Sequence, residues 1–309
     1  MSDGSRNRNL VVVRAGRNSL HPQWLEGATE RSWDLIVSVY DAAAHFDAGE
    51  GVRVEIRPGG KWDGIHGIFT ESDLLDRYDY IWLPDDDIAA KAKDIDATFA
   101  AMRRYELEVA QPSLTHDSYY SLFPVMSCPG FTLRYLNFVE VMVPCVRASL
   151  LRQVLDDFRT SMSGRGMDWI WCRLAPDPHY KAAILDSIAV RHTRPVGKFL
   201  RGTMASRGKT PEDEESELNA RYNVGRHIPP VVYAGIGSSG RRLEGCVRLG
   251  FAMAWGYLSV LREFMRPMQA TEKVWQLIRR QTLQRPDLSQ LRRMENPPRP
   301  NQDAKAKPR

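Results

Sequence analysis

Cysteine is scarce in this chain, and the little there is excludes two common architectures. Cys128, Cys145, Cys172 and Cys246 lie far apart with no CxxC pair. Neither a zinc ribbon nor a disulfide scaffold is expected of them, and they read as buried thiols of a reducing compartment. Long apolar runs are missing as well. The longest, residues 249–261, covers 13 positions between Arg248 and Arg262, whereas crossing a bilayer takes about 20. Residues 1–9 are short and polar and pass straight into a strand-like run, so no leader is expected and the chain reads as soluble and cytoplasmic. There is no Walker A sequence, no HExxH and no GxSxG, and the seven histidines show no zinc spacing. Aromatic residues are not interleaved with basic ones as in single-strand nucleic-acid platforms.

What remains is an ordinary globular composition. The 309 residues are 43% apolar, 26% charged and 9% aromatic, enough to bury a substantial core and too apolar for a wholly disordered chain. The net charge of +5 is unevenly placed. Between residues 266 and 309, eleven Lys or Arg stand against four Asp or Glu, a net +7, which leaves −2 for the rest. A specific nucleic-acid partner is therefore not expected, because the basic character belongs to the tail and not to the body.

Along the first half, strand-like and helix-like stretches alternate. Residues 10–13, 33–40, 52–56 and 78–83 read as strands. Residues 62–75 have helical spacing, and 88–110 reads as one long helical pattern. The alternation predicts an α/β fold with a mostly parallel sheet flanked by helices. Further on, 131–145 suggests strand pairing, 149–159 and 169–174 helices, and 183–192 a last strand. We divide the chain into a short disordered N-terminus (1–8), a catalytic α/β domain (9–200), a loop or linker (201–242), a helical C-terminal region (243–294) and a disordered basic tail (295–309).

The candidate chemistry sits at strand ends. Asp85-Asp86-Asp87 follows the apolar strand YDYIWL, at the carboxyl edge where open α/β sheets bind ligands. Three adjacent carboxylates repel one another unless a cation or water compensates. Mn²⁺ or Mg²⁺ is the natural compensation, since such an ion also holds substrate phosphates. A solvated acidic turn with Asp87 as helix N-cap is the alternative. His192 closes the 183–192 strand, where it could add a nitrogen ligand or be a structural histidine. Asp168, in GRGMDWIW, stands in a helix's first turn as a candidate general base or an ordinary helix-start aspartate. Arg14, Asp41 and Lys61 each follow a strand or its Gly-rich loop. The GxGxxG string Gly235–Gly240 lacks the following strand and acidic residue of a dinucleotide site, and reads as a flexible loop near the active site.

The strings YDYIWLPDDDI, FVEVMVP, GRGMDWIW and AVRHTRPVG, in this order over residues 8–200, resemble the GT-A-type glycosyltransferases. They resemble in particular a bacterial and plant family some of whose plant members are labelled "lysine-ketoglutarate reductase trans-splicing related". The resemblance implies a GT-A-like fold and a nucleotide-diphospho-sugar donor, UDP-linked as first choice, with a saccharide or lipid-linked acceptor. Asp85 and Asp87 match the outer positions of the DxD metal motif, with His192 the added ligand. Asp41 would meet the base or ribose, Arg14 or Lys61 the diphosphate, and Asp86, Trp169 and Arg194 the substrates. Asp168 falls where inverting members place their acid or base, although this chain carries Asp-Trp where Glu-Asp is commoner. A nucleotide-sugar hydrolase or phosphotransfer enzyme, or a non-catalytic nucleotide-sugar-binding protein, is the alternative. Residues 249–268 followed by the basic segment allow peripheral contact with the inner face of a membrane, or else packing on the core or a homodimer.

Overall fold

The structure, a computed structural model, describes residues 8–28, 30–159, 161–176, 180–197, 204, 208–224 and 229–283. The expected disordered segment 1–8 lies outside these residues except for Arg8, and the expected basic tail 295–309 lies outside them entirely. The chain opens with β1 (Asn9–Ala15), α1 (Pro22–Leu25), β2 (Asp34–Val39), β3 (Val52–Ile56), α2 (Lys61–Thr70), α3 (Leu74–Arg77) and β4 (Tyr80–Trp82). Then come β5 (Ile88–Ala89), α4 (Ala92–Arg104), β6 (Val109–Leu114), β7 (Phe131–Leu136), β8 (Cys145–Arg147), α5 (Ala148–Phe158) and α6 (Met167–Leu174). Strand β9 (Ala182–His192), α7 (Pro211–Arg221), β10 (Val232–Gly237), β11 (Arg242–Glu244), α8 (Cys246–Ser259) and α9 (Pro267–Thr282) complete it.

The strands form one sheet in the order β11-β10-β7-β9-β6-β8-β4-β1-β2-β3, with β5 pairing onto β9. Its two faces bury separate clusters, and β1 shows how. Val11, Val13 and Ala15 point into one cluster, which α4, α8 and α9 cover, while Leu10 and Val12 point into the other, covered by α2, α5 and α6. A strand buried on both sides needs apolar residues at every position, which is why LVVV is a continuous run and not an alternation.

The sheet is mixed, a correction to the mostly parallel expectation. Pairs β1–β2, β2–β3, β1–β4 and β6–β9 are parallel, whereas β4–β8, β6–β8, β7–β9, β7–β10, β10–β11 and β5–β9 are antiparallel. The N-terminal strands are joined by crossovers long enough to return parallel. The four-residue connection from β10 to β11 can only form a hairpin, and β8 runs backwards between β4 and β6.

Two further expectations change. The 88–110 helical pattern is three elements, β5, α4 and the start of β6. Strand β6 escaped notice because Gln111-Pro112 interrupts it, and that proline sits at a break in the β6–β9 register, a position that tolerates its missing N–H. The stretch 201–242 holds α7, β10 and the first residue of β11, so the sheet continues past residue 200. Gly235 looks like a loop residue but is strand: a Cβ there would meet the Phe131 ring at 3.0 Å, so only glycine lets the aromatic lie across the strand. The glycine string ends in a hairpin turn, with the Gly240 N–H donating to the Gly237 carbonyl at 2.8 Å. It lies five strands away from β4, and not near the acidic triplet.

The C-terminal helices are tied to the sheet by a buried ion pair. Arg134 on β7 is fully buried and donates to both Asp186 oxygens at 2.8 Å, to the Met126 carbonyl at 2.8 Å and to the Tyr257 hydroxyl of α8 at 2.9 Å. Asp186 also accepts from the Cys128 N–H at 2.9 Å. Arg134→Met should leave the Asp186 carboxylate buried without its partner and cost about 3–5 kcal/mol. Arg134→Met with Asp186→Leu should cost clearly less, as measured by urea unfolding.

Candidate functional site

The site is built at the carboxyl edge of the sheet, where β1, β2 and β4 end beside the last residue of β9. Each aspartate of the triplet takes a different partner. Asp85 accepts from the Lys61 ammonium at 2.5 Å, and Lys61 also donates to the Val141 carbonyl at 2.8 Å. Asp86 turns inward, accepting from the Gly16 N–H at 2.9 Å, from Arg194 at 3.0 Å and from the Tyr40 hydroxyl at 3.4 Å. Asp87 Oδ2 lies 3.3 Å from His192 Nε2. Desolvation raises the pKa of Asp85, against the pull of Lys61, and likewise that of Asp86, against the Gly16 N–H and Arg194.

The register of β5 on β9 aligns Ile88 with His192, which brings His192 against Asp87. The His192 ring is oriented by the Tyr119 carbonyl, 2.9 Å from Nδ1. A neutral ring donating there presents its lone pair at Nε2, the arrangement of a metal-ligating histidine. Burial alone would lower the His192 pKa, but the hydrogen bond and charge of Asp87, with the charge of Asp85, hold it above the ordinary value.

Ligand atoms of Asp85, Asp87 and His192 lie within 4.8 Å of one another. Two observations test whether an ion fits them. Asp87 Oδ1 is buried with no hydrogen-bond partner, and His192 Nε2 is the ring nitrogen left over once Nδ1 is engaged. Two carboxylates and an imidazole make a hard, mixed donor set suited to Mn²⁺ or Mg²⁺. The residues fit the ion.

The triplet lines a cleft of about 250 Å³ together with Arg14, Tyr40, Gly59, Gly60, Lys61 and Pro84. Arg14 is buried, donating to Ser38 Oγ at 2.7 Å and to the Gly59 carbonyl at 2.9 Å, and desolvation lowers its pKa. Glycine at position 64 permits this, since a Cβ there would fall 2.5 Å from the guanidinium carbon. Arg14 and Lys61 thus bring fixed positive charge to the cleft. Asp41 is not among its lining residues. It pairs instead with Arg17 at 2.8 Å and accepts from the Ala43 N–H, which together hold its carboxyl at about 2. Arg194 lies at the rim, binding Asp86 and the Asn18 carbonyl.

A second, larger cavity of about 420 Å³ lies across the 137–144 segment. Its walls include Ser121, Phe138, Glu140, Val141, Asp168 and Trp169. Val141 joins the two spaces: its carbonyl accepts from Lys61, and its N–H donates to Asp168 Oδ1 at 2.8 Å. Trp169 stands edge-on to Phe138, with ring centroids 4.8 Å apart. Desolvation pushes Asp168 up to about 8, helped by the nearby charge of Glu140.

Glu140 is the residue that inspection of the sequence missed. It is buried, with its N–H donating to Gln111 Oε1 at 2.6 Å and its Oε1 accepting from the Ser121 N–H at 2.8 Å and from the Ser121 hydroxyl. Its Oε2 has no hydrogen-bond partner, and burial pushes its carboxyl to about 7. A lone glutamate inside the apolar string FVEVMVP was the available signal.

No family model matches the chain, and no curated protein matches it in sequence. Among solved structures it is similar to Staphylococcus aureus TarS. TarS residues 1–349 in complex with UDP-GlcNAc align at 8% identity and TM-score 0.41, covering 88% of this chain and 71% of that one. TarS 1–349 without a named ligand gives 12% and 0.42, and the UDP complex 11% and 0.42, each covering 89% of this chain and 90% of the other.

The raised Asp168 pKa sets a pH dependence of stability. The folded protein binds this proton more tightly than the unfolded chain, whose carboxyl titrates near 4. Its cost is therefore absent below about pH 4 and grows as pH rises toward 8. Asp168→Asn keeps an acceptor for the Val141 N–H and should be more stable than the unsubstituted protein at pH 8.5, by on the order of 1 kcal/mol or more. The difference should vanish near pH 4, as read from urea midpoints across pH.

Proposed function

We propose that this protein is a metal-dependent glycosyltransferase that moves a sugar from a nucleotide-diphospho-sugar, UDP-linked first, to a hydroxyl of a saccharide or lipid-linked acceptor. The observation that carries this reading is the arrangement of the two spaces. A cleft with a three-ligand cluster and two fixed cations is linked through one residue, Val141, to a larger cavity holding a buried carboxyl. Donor and acceptor chemistry would need those two environments side by side.

In the transfer, the acceptor oxygen bonds to the anomeric carbon as the bond from that carbon to the diphosphate breaks. Mn²⁺ or Mg²⁺ bound by Asp85, Asp87 and His192 would supply Lewis-acid neutralisation of the departing charge. Arg14 would contribute a fixed cation already oriented by Ser38 and Gly59, so that little reorganisation is needed as the diphosphate leaves. Lys61 uses two of its three N–H groups on Asp85 and Val141 and keeps the third for a phosphate oxygen. Asp41 and Arg194 would act from the margin, on the nucleoside side. Asp86 would act indirectly by fixing the ends of β1 and β2. Trp169 would offer its ring to the acceptor.

Asp168 would take the proton of the acceptor hydroxyl in an inverting reaction, and would orient the acceptor in a retaining one. Its raised pKa makes it a stronger base than an exposed aspartate, at the cost of being ionised only at the upper end of the neutral range. Transfer should therefore increase as pH rises through about 8.

Two measurements test the reading. UDP with Mn²⁺ should raise the melting temperature by a few degrees, since ligand at a hundred times its Kd stabilises by about 2.7 kcal/mol. Asp87→Asn should abolish the metal-dependent part. Asp168→Asn should keep the UDP shift and lose transfer by about 10²–10⁴-fold. Release of free sugar alone, at an equal rate with and without acceptor, would replace transfer with hydrolysis.

A further inference from the structure

Helices α8 and α9 each bury one face in the same core cluster, through Leu249, Met253 and Tyr257 on the first and Val274 and Leu277 on the second. Their outer faces carry large apolar side chains among the polar ones, where such helices ordinarily present polar residues. Phe251 is 61% exposed, Trp255 79%, Met268 90% and Trp275 70%, with Leu258 and Met265 also exposed. On α8, positions 251, 255 and 258 follow one another at helical spacing, so these side chains form a single ridge. Clustered exposure of this kind on a soluble body marks a contact surface.

From the geometry we infer that this helical pair is a docking surface for an anionic lipid bilayer, lying on it and not crossing it. Among the described residues, no helix is long and apolar enough to span. The charge around the ridge identifies the occupant. Residues 246–283 carry six Lys or Arg against two Glu, and one of those, Glu263, is paired with His116 at 3.0 Å. Arg248, Arg262, Arg266 and Arg279 are exposed beside the apolar side chains. Tryptophans with arginines around them suit the headgroup boundary, where the rings sit at the interface and the cations meet lipid phosphate. A second copy of the chain is the poorer occupant, because a two-fold interface would set this cationic surface against itself.

The surface also borders the larger cavity. The Met265 N–H donates to the His116 carbonyl at 3.4 Å, and Phe264 stacks on Phe123 with centroids 5.7 Å apart. Phe123 directly follows Ser121 and Leu122, which line that cavity. A chain seated on a bilayer by α8 and α9 would thus hold the cavity wall close to the membrane plane. Docking needs neither donor nor metal, so its failure and failure of the transfer reading are distinguishable.

The test is flotation of the full chain with phosphatidylcholine vesicles, with and without 30 mol% phosphatidylglycerol. Binding is expected to the anionic vesicles, weaker on phosphatidylcholine alone and reduced by 0.5 M salt. Trp255→Ser with Trp275→Ser should lower binding roughly tenfold or more, while an unchanged melting temperature shows that the exposed substitutions leave the fold intact. Acrylamide quenching gives a second readout. Five of the eight tryptophans are fully buried, so vesicles should protect mainly the two exposed ones. Equal flotation of the double variant, or no flotation of the unsubstituted chain, would overturn the proposal. So would a concentration-dependent dimer that the double variant abolishes without any vesicle binding.

Discussion

Three consecutive carboxylates at a sheet edge repel one another, and the way this repulsion is relieved determines most of the site. Each aspartate is compensated by a different cationic or polar group brought from a distant part of the chain. Lys61 comes from the first turn of α2, His192 from the end of β9 and Arg194 from the segment after it. The triplet is compensated only where α2 and β9 both reach the end of β4, so the same contacts close the sheet edge and shape the cleft. Asp86 is the clearest case. It contributes no ligand to the cluster, yet it joins the ends of β1 and β2 to Arg194, and so sets the shape in which its neighbours face the cleft.

The 137–144 segment carries the same logic across to the other side. Asp85 donates its N–H to the Met142 carbonyl at 2.7 Å, one residue on from Val141, which binds both Lys61 and Asp168. Displacing this turn-containing wall would therefore disturb both spaces. Glu140 stiffens it, since Gln111 from β6 and Ser121 from the loop that also orients His192 converge on that one residue. The larger cavity and the Asp85-Asp87-His192 cluster thus share supports as well as a boundary.

Much of this was legible in the sequence where a local rule suffices. Strand-like runs ending at Arg14, Asp41 and Asp85 were visible because residues at a strand's carboxyl end are set by that strand alone. The Asp85-Asp87-His192 cluster was legible for the same reason, the two aspartates following one apolar run and the histidine closing another. What escaped depends on partners far away in the chain. Pro112 disguised β6, because its tolerance comes from a break in register with β9. The 201–242 stretch concealed β10, because Gly235 gains its place from the Phe131 ring lying over it. The pairing of Asp41 with Arg17 is likewise a contact between separate segments that no local pattern announces. Glu140 was unremarkable in FVEVMVP, because its role arises from Gln111 and Ser121.

Among the described residues, two carboxylate oxygens of the candidate site are buried without a hydrogen-bond partner, Asp87 Oδ1 beside the cleft and Glu140 Oε2 beside the larger cavity. A buried acceptor left unsatisfied costs about 1–3 kcal/mol, and more when it is charged. A fold that needed these groups only for stability would do better with amides, or with apolar residues of the same shape. The cost is sensible where each oxygen is completed by something other than protein, a cation on the Asp87 side and a donor hydroxyl on the Glu140 side. The raised pKa of Glu140, like that of Asp168 beside it, has the same origin: burial strips water from these carboxyls, and the hydrogen bonds and charges around them offset this only in part. On the cleft side Lys61, Arg194 and His192 supply that compensation in part, which leaves the cleft suited to phosphate and metal. On the cavity side Glu140 and Asp168 accept from the Ser121 and Val141 N–H groups, and Arg165, which also lines the cavity, is held by Glu212 and Glu215, an arrangement that suits an uncharged, hydroxyl-bearing occupant.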